Sequence, residues 1–146
     1  METKTYDVTI VNTHVFNGDE TATEDYRKSD SVRLFLDAPI PGHGPDENGV
    51  KVRKDVEQIT FSAQAFRFHL FGADSRLQML VNSNTSIEFL ANLLKNAKVK
   101  ITRSLATKEN GEETYNTTID AIAFSDKIDA GIDAAFTAAF TKNLGF

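Results

Sequence analysis

Aromatic rings and cations, rather than nucleophiles or metal ligands, are the side chains in this sequence that can do chemistry. The chain has no cysteine, and its three histidines, His14, His43 and His69, lie far apart without a second ligand at helical spacing. Zinc sites and nucleophilic catalysis need such groups close together. Neither a phosphate-binding glycine loop nor a nucleophile elbow is present. We therefore expect a protein that is not an enzyme and holds no metal or cofactor.

The cations are concentrated in one part of the chain, although the formal net charge is −5. Residues 1–50 hold 4 Lys/Arg against 10 Asp/Glu, residues 51–108 hold 10 against 4, and residues 109–146 hold 2 against 7. A basic segment between acidic flanks can attract a polyanion locally while the net charge keeps the protein in solution. The same cations can equally solvate exposed strand faces, and charge alone does not decide between these interpretations.

Length and composition restrict the fold to one domain with a real core, because the chain has 146 residues and 40% of them are hydrophobic. The sequence contains no apolar run of about 18 residues, and its N-terminal METKTYD has no apolar signal core, so we expect no membrane contact and a cytoplasmic location. We divide the chain into a folded domain over residues 1–125 and a C-terminal helix and tail over residues 126–146.

Three strands are predicted in the first half of the chain. Residues 6–16 are rich in β-branched and aromatic side chains, and residues 32–36 alternate apolar with polar ones. We expect the Pro and Gly cluster at residues 38–49 to end the second strand, because proline cannot donate to a ladder. Residues 56–71 give the longest β pattern, and its apolar phase changes near residue 65. Such a change indicates a bulge or bend in one strand of a closed barrel.

A helix and a hairpin are predicted next. Ser86 is placed to cap a helix that ends at Asn96. Residues 98–108 and 115–124 then form two strands around Asn110-Gly111, a dipeptide typical of tight hairpins. The order of three strands, one helix and two strands predicts a mainly β fold. Specifically, it predicts a five-stranded OB barrel with its helix between strands 3 and 4.

The C-terminal segment has the pattern of an amphipathic helix. Ile128, Ile132, Phe136 and Phe140 recur four residues apart among alanines. We expect this apolar stripe to dock on the barrel or on another subunit, the second of which would make the protein a homo-oligomer.

Short motifs follow one another in a characteristic order over roughly residues 59–124. They are Phe71-Gly72, Phe89-Leu90-Ala91, Leu94-Lys95, Val99 and Tyr115-Asn116-Thr117-Thr118. Each motif is degenerate by itself, but their order and spacing resemble the bacterial-type single-stranded DNA-binding protein family. The sequence departs from that family in lacking tryptophan, a Gly-Arg-Leu step in the first strand and a Pro-Phe end. These departures are compatible with a divergent member, such as a phage or plasmid version.

The resemblance implies a non-catalytic protein that coats single-stranded DNA during replication, recombination or repair. It also implies contacts of the C-terminus with replication proteins, for which Phe146 is the analogous residue. RNA stays open as a ligand, because stacking and phosphate contacts are common to all single strands.

Single-strand binding needs flat rings for bases and cations for phosphates. Phe71 matches the family's stacking aromatic. Phe35 shares its strand phase with Arg33, opposite the apolar residues of that strand, and so has the phase of an exposed side chain. Tyr115 fits either a stacking position or the end of the barrel. The candidate phosphate contacts are cations of the basic segment: Lys51, Arg53, Lys54, Arg67, Arg76, Lys98, Lys100 and Lys108. For Phe66 and Phe68 we favour a place in the core.

A second function is also compatible with the sequence. The chain would then be a viral structural or assembly protein that uses a β-barrel and the C-terminal helix for subunit contacts. The apolar stripe from Ile128 to Phe140 motivates this alternative.

Overall fold

The computed structural model describes residues 3–23, 27–46, 48–82, 84–143 and 145. The described residues form a mainly β fold, as predicted. Its elements in chain order are β1 (Thr3–Phe16), β2 (Ser31–Pro45), β3 (Lys51–Ser62), α1 (Ala63–Ala73), α2 (Ser75–Leu80), α3 (Ile87–Leu93), β4 (Lys98–Thr107), β5 (Glu113–Ala123) and α4 (Asp126–Asn143). None of the helices in this part of the chain is long and apolar enough to cross a membrane.

The five strands form one antiparallel sheet in the order β3-β2-β1-β4-β5. The central strand, β1, is shared between two halves of this sheet. Its residues 3–9 pair with β4, and its residues 10–16 pair with β2. The register shifts between Ile10 and Asn12, where the second pairing begins. A shift of this kind bends a strand and increases its twist, so β1 is the strand that turns the sheet.

The core lies on one face of the sheet and beneath the helices. Val32, Leu34 and Leu36 are buried, whereas Arg33 and Phe35 between them are partly exposed, so the alternation predicted for this strand is confirmed. The largest fully buried side chains are Phe66, Ile10, Leu34, Ile40, Leu70, Leu77, Leu90, Leu94, Ile101 and Val32.

The prediction that the Pro and Gly cluster ends the second strand is wrong. Ile40 to Pro45 pair with Val56 to Lys51 after a register shift in β2. This half of β2 has a ladder only to β3, because the pairing with β1 covers residues 31–36. Proline is tolerated where one side of a strand has no ladder partner. Asp46 then closes the turn, with its Oδ1 accepting from the backbone N–H groups of Asn48 (2.8 Å) and Val50 (2.9 Å).

The prediction of one strand over residues 56–71 is wrong beyond Ser62. Ser62 caps α1, its Oγ accepting from the backbone N–H of Ala65 at 3.2 Å. Phe66 and Leu70 are four residues apart and both completely buried, which is the spacing of one helix face. The expectation that Phe68 also lies in the core is wrong, because a helix turns it away from that face and leaves it 75% exposed. The apolar phase change therefore marks the start of a helix, and the bend expected in this strand lies in β1 instead.

The predicted helix cap and the hairpin are confirmed, but α3 ends at Leu93 rather than at Asn96. Ser86 Oγ accepts from the backbone N–H of Phe89 at 3.1 Å and caps α3. Beyond α3 the chain turns at Asn96, whose φ is 64°. Gly111 has a φ of 85° in the turn between β4 and β5. The short helix α2 was not predicted, and Asp74 caps it.

The predicted C-terminal helix is confirmed as α4, which packs against α2. Ile132 is buried and Ile128 lies partly buried against the same core as the sheet. Phe146 lies outside the described residues.

Candidate nucleic-acid interface

Three of the predicted binding residues lie where the two edge strands approach each other. β3 and β5 are the sheet edges, and they run in the same direction because every neighbouring pair in the sheet is antiparallel. Lys51 Nζ donates to Glu112 Oε1 at 3.3 Å. Arg53 donates two hydrogen bonds to Glu113, at 2.9 and 2.6 Å. The hydrogen bonds from Arg53, and then the one with His43, lower the pKa of Glu113 to about 2.

Tyr115 packs beside these ion pairs. Its ring centroid is 4.9 Å from that of His43, and the guanidinium carbon of Arg103 lies 5.1 Å from the Tyr115 centroid. Arg103 also donates to the carbonyl of Pro41 and to Thr117 Oγ1. Burial lowers the pKa of Arg103. The structure thus places Tyr115 within the packed end of the sheet. We call His43, Arg53, Arg103, Glu113 and Tyr115 the edge cluster.

Three further predicted residues lie on helices and contact other parts of the protein. Phe71 is partly buried against the core from α1. Arg67 donates to the carbonyl of Thr85 at 2.6 Å, which ties α1 to the segment before α3. Arg76 donates to Asp74 and Asp129, both at 2.7 Å, and these hydrogen bonds raise its pKa. The helical conformation of residues 63–73 therefore separates Phe71 from the other predicted rings.

The predicted lysines of the hairpin and of β4 are exposed, and the charge of Lys108 acts on Glu112, the carboxylate that Lys51 also contacts. Lys98 and Lys100 lie opposite Thr9 and Asp7 on the half of the sheet formed by β1, β4 and β5. Lys108 lies at the start of the turn between β4 and β5. The cations that the sequence gathers into one segment are thus distributed over several surfaces.

A second surface combines aromatic rings with Arg33, whose contacts are with a ring and a hydroxyl group rather than with a carboxylate. It is the outward face of β1 and β2 near the long loop, where His14 lies opposite Arg33 in the ladder. The Arg33 guanidinium carbon lies 4.7 Å from the centroid of Phe16, and its Nε donates to Thr60 Oγ1 at 3.2 Å. His14 meets the edge of Phe16 at 4.5 Å. We call His14, Phe16, Arg33, Phe35 and Thr60 the outer strand face.

A groove opens beside this face. Its volume is about 840 Å³, and it lies between the loop after β1 and the ends of the first three strands. Phe16 and Arg33 line it together with hydroxyl groups, those of Ser29, Ser31, Thr60 and Ser62. Arg27 and Asp19 also line it, and hydrogen bonds from Thr21 lower the pKa of Asp19. A volume of this size suits a small ligand or part of a polymer, since ligand sites are typically about 300–1,000 Å³.

Phe35 and Lys54 line a second hollow of about 560 Å³, farther along β2. Phe35 lies opposite Gln58 in the ladder, and Arg33 lies opposite Thr60, so Arg33 and Phe35 face outward on the same side of the strand. Asp55 and Glu57 also line this hollow. Of the predicted residues, Phe35 therefore belongs to the outer strand face, and Lys54 lines the hollow beside it.

Sequence reasoning missed Phe16 and Arg33. The alternation in β2 placed Arg33 on the same outward side as Phe35, and this alternation could have identified Arg33 as an exposed cation. The position of Phe16 depends on the register between β1 and β2 across a long loop, and that register is not readable from local sequence.

The described residues contain no group of three or more His, Asp or Glu side chains placed to hold a metal ion. The ring centroids of His69 and Phe61 are 5.5 Å apart, and burial lowers the pKa of His69 while the charge of Asp120 opposes that change.

The chain matches no known family model, and no curated protein matches it.

Proposed function

We propose that this protein binds single-stranded nucleic acid, with single-stranded DNA as the expected ligand, and that it does so without catalysis. The observation that carries the proposal is the arginine laid over a partly exposed ring, Arg33 over Phe16, at the side of a groove of about 840 Å³. Flat rings and cations at one surface are the groups that sequence-tolerant strand binding requires.

The strand order supports an OB-type barrel as the scaffold. In that barrel the first strand pairs with the second and the fourth, and the third and fifth strands meet to close it. Here β1 pairs with β2 and β4, and β3 and β5 run parallel as the two sheet edges. The ion pairs from Lys51 to Glu112, just before β5, and from Arg53 to Glu113, its first residue, lie where closure is expected. We therefore propose the OB barrel as the finer description of this curved sheet.

Stacking is the main source of affinity in this proposal. Each base stacked on an aromatic ring contributes about 1–3 kcal/mol, and Phe16 and Phe35 are two partly exposed rings on one side of the sheet. Arg33 contributes a charge that no carboxylate neutralises in its described contacts. With few cations at the face, binding depends weakly on salt, because each phosphate contact contributes only about 0.7 to the slope of log K against log salt.

The cellular role proposed with this activity is the coating of exposed strands during replication, recombination or repair, in the cytoplasm of a bacterial cell or an infected host. The order of motifs over residues 59–124 supports it by its resemblance to bacterial-type single-stranded DNA-binding proteins. The same resemblance supports contacts of the C-terminus with replication proteins.

The second candidate function is a structural or assembly protein, for example of a virus. The observation in its favour is the exposed distal part of α4, where the Phe140 side chain is 47% exposed. An assembly protein of this kind would self-associate without any requirement for nucleic acid.

Fluorescence anisotropy with labelled oligo-dT at low salt tests the proposed function. We expect binding by the wild-type protein, and we expect Phe16→Ala to weaken it about 5- to 150-fold, the loss that corresponds to 1–3 kcal/mol of stacking. Phe89→Ala is the matched control, because Phe89 is also an exposed phenylalanine, 53% exposed, but lies on α3.

Absence of wild-type binding to oligo-dT at low salt would rule out the proposal. Equal losses in the Phe16 and Phe89 variants would rule out the outer strand face as the site. Gel shifts with duplex DNA and with RNA of the same length then identify the ligand, and a preference for duplex would also contradict the proposal.

A further inference from the structure

The inward side of the sheet ends in a small cavity that is lined by cations and phenols. Lys4 and Tyr6 share their strand phase with the buried Val8 of β1. Arg103 shares its phase with the buried Ile101 of β4 in the same way. The cavity has a volume of about 70 Å³, and its lining residues are Lys4, Tyr6, Pro41, Arg103, Leu105 and Tyr115. We call it the end cavity.

Arg103 lies in the end cavity without a carboxylate partner among the described residues. Its Nε donates to Thr117 Oγ1 at 3.1 Å and its Nη1 donates to the Pro41 carbonyl, so its described acceptors are neutral. Burial lowers the pKa of Arg103, and the phenols of Tyr115 and Tyr6 are the groups that oppose this change. A cation removed from water is unfavourable unless an opposite charge accompanies it. The described residues therefore leave a partly buried positive charge without a counter-charge.

Lys4 adds a second positive charge at the same place. It lies directly opposite Arg103 in the ladder between β1 and β4. Like charges in this relation are destabilising. None of the ion pairs formed by the described residues involves Lys4, and no residue that lines the end cavity is acidic. An anion between the two cations would replace their repulsion with two attractions.

We propose that the end cavity binds a phosphate group. Arg103 Nη2 makes no hydrogen bond to the described residues, so this donor is available to an anion. Guanidinium groups pair well with phosphate oxygens, a lysine supplies a compact charge, and phenol hydroxyls can donate as well. The volume agrees with this ligand. Since roughly 10–15 Å³ is enough for one water molecule, about 70 Å³ admits a group of about five non-hydrogen atoms.

The end cavity shares no lining residue with the groove beside the outer strand face. This inference therefore does not depend on the proposed function. A phosphate group can come from two sources, namely inorganic phosphate in solution or the terminal phosphate of a nucleic-acid strand. Both present the same oxygens to Lys4 and Arg103, and the experiment below distinguishes them.

Titration of the full chain with inorganic phosphate tests the site, with sodium chloride holding the ionic strength constant. Tyrosine emission is the readout, because the chain has no tryptophan and two of its three tyrosines line the end cavity. We expect a saturating change between about 0.1 and about 50 mM phosphate, together with a rise in Tm, since a ligand that binds the folded state stabilises it.

Lys4→Gln should raise the dissociation constant for phosphate about tenfold, because it removes one charge-assisted contact. Lys98→Gln is the matched control, since Lys98 is an exposed lysine of β4 that does not line the end cavity. Arg103→Gln should abolish the response. Arg103 also bonds Pro41 and Thr117, so Lys4→Gln decides the matter if the Arg103 variant fails to fold.

A wild-type protein that shows neither a saturating change in emission nor a rise in Tm up to about 50 mM phosphate overturns the proposal. So do equal responses of the Lys4 and Lys98 variants, which would mean that phosphate acts only as a stabilising salt. Oligo-dT with a 5′-phosphate and with a 5′-hydroxyl then identifies the source. A gain in affinity from the 5′-phosphate that disappears in Lys4→Gln identifies the strand end, whereas equal affinities identify inorganic phosphate. If neither oligonucleotide binds, the proposed function fails, and the response to inorganic phosphate still decides this inference.

Discussion

The outer strand face and the edge cluster, which include residues from opposite ends of the β2–β3 ladder, differ in the partners of their arginines. Arg33 on the outer strand face lies over the ring of Phe16 and bonds a neutral hydroxyl, that of Thr60. Arg53 in the edge cluster donates twice to the carboxylate of Glu113. The first arrangement keeps the cation's charge available to a ligand, whereas the second neutralises it within the protein.

This difference shows why a count of cations along the chain is a poor guide to the binding surface. Residues 51–108 hold 10 of the 16 Lys/Arg. Lys51, Arg53 and Arg76, which belong to that segment, are paired with carboxylates that lie 61, 60 and 2 residues away in sequence. The outer strand face has fewer cations, but its arginine is combined with a ring at a groove. The cations of the edge cluster therefore have partners within the protein, and the outer strand face is the better candidate for ligand contact.

Gly42→Ala, a substitution near the edge cluster, is expected to have the largest effect, and this effect is on stability rather than on ligand binding. A Cβ at position 42 would lie 2.5 and 3.0 Å from the two methyl carbons of Val56 and 3.2 Å from Arg103 Nη1. Val56 is short and stiff, so the strands must move. We expect a loss of about 1–3 kcal/mol in the free energy of unfolding, measured by urea denaturation. The affinity of the folded variant for oligo-dT should stay unchanged.

Gly44→Ala is the matched control two residues along the same strand. Its Cβ would meet Lys54 Cδ at 3.0 Å, which lies on a long side chain that can move aside. The expected change in stability is small. A Gly42 variant as stable as the Gly44 variant would show that the region around Arg103 is loosely packed, against the structure.

The next largest effect is expected on the affinity for oligo-dT, when Arg33 and Arg53 are replaced in separate variants. Arg33→Gln should weaken oligo-dT binding about tenfold, because it removes a charge-assisted contact of about 1.5 kcal/mol. It should also reduce the slope of log K against log salt by about 0.7, the contribution of one phosphate contact. Arg53→Gln should leave both the affinity and the slope nearly unchanged, because its charge is already paired with Glu113.

The two variants carry the same chemical change, so their comparison is direct. Anisotropy titrations at several salt concentrations measure both quantities. Equal losses would mean that the strand contacts the edge cluster as well, and a larger loss for Arg53→Gln would move the site there.

The elements predicted correctly from sequence are those specified by neighbouring residues. Ser86 caps α3 through a hydrogen bond to the third residue along the chain, and Gly111 of the Asn110-Gly111 pair has the positive φ in the turn between β4 and β5. The stripe of α4 likewise depends only on helical spacing. Such features are readable because their partners are within one or two turns of the chain.

The segment after Ser62 shows why other elements were not predicted. Its aromatic and apolar residues fit an alternating pattern as well as a helical one, so propensity alone favoured a strand. The helix α1 places Phe66 and Leu70 in the core and contacts β5, and this tertiary burial decides the conformation. The signal that could have found it is Ser62, a capping residue three positions before Ala65.

The candidate site was predicted only in part, for a related reason. The strand phase put Arg33 and Phe35 on one outward side, and the structure agrees. Partners such as Arg53 and Glu113, which are 60 residues apart, depend on how the sheet curves and which edges meet. No local pattern encodes that curvature, because it arises from the shared pairing of β1.

The smallest effect is expected on the free energy of unfolding at low pH, and it tests the ion pairs of the edge cluster. The pKa of Glu113 is lowered from 4.5 to about 2 by the hydrogen bonds from Arg53 and His43. A carboxyl group with a lower pKa in the folded state stabilises the fold above its unfolded pKa, and this stabilisation is lost as pH falls through the folded value. Glu113 therefore contributes stability that is complete above about pH 4.5 and lost between there and about pH 2.

Glu113→Gln removes this contribution, so its unfolding free energy should fall less steeply than that of the wild type between pH 4.5 and 2. The effect is modest because the Glu113 side chain is 36% exposed and solvent screens the pair. Urea midpoints measured across this pH range give the comparison, with Glu57→Gln on β3 as the control. If the Glu113 variant follows the wild-type curve, the contacts of Arg53 and His43 with Glu113 do not hold the sheet edges together. The contrast between the paired arginine of the edge cluster and Arg33 of the outer strand face would then lose its electrostatic basis.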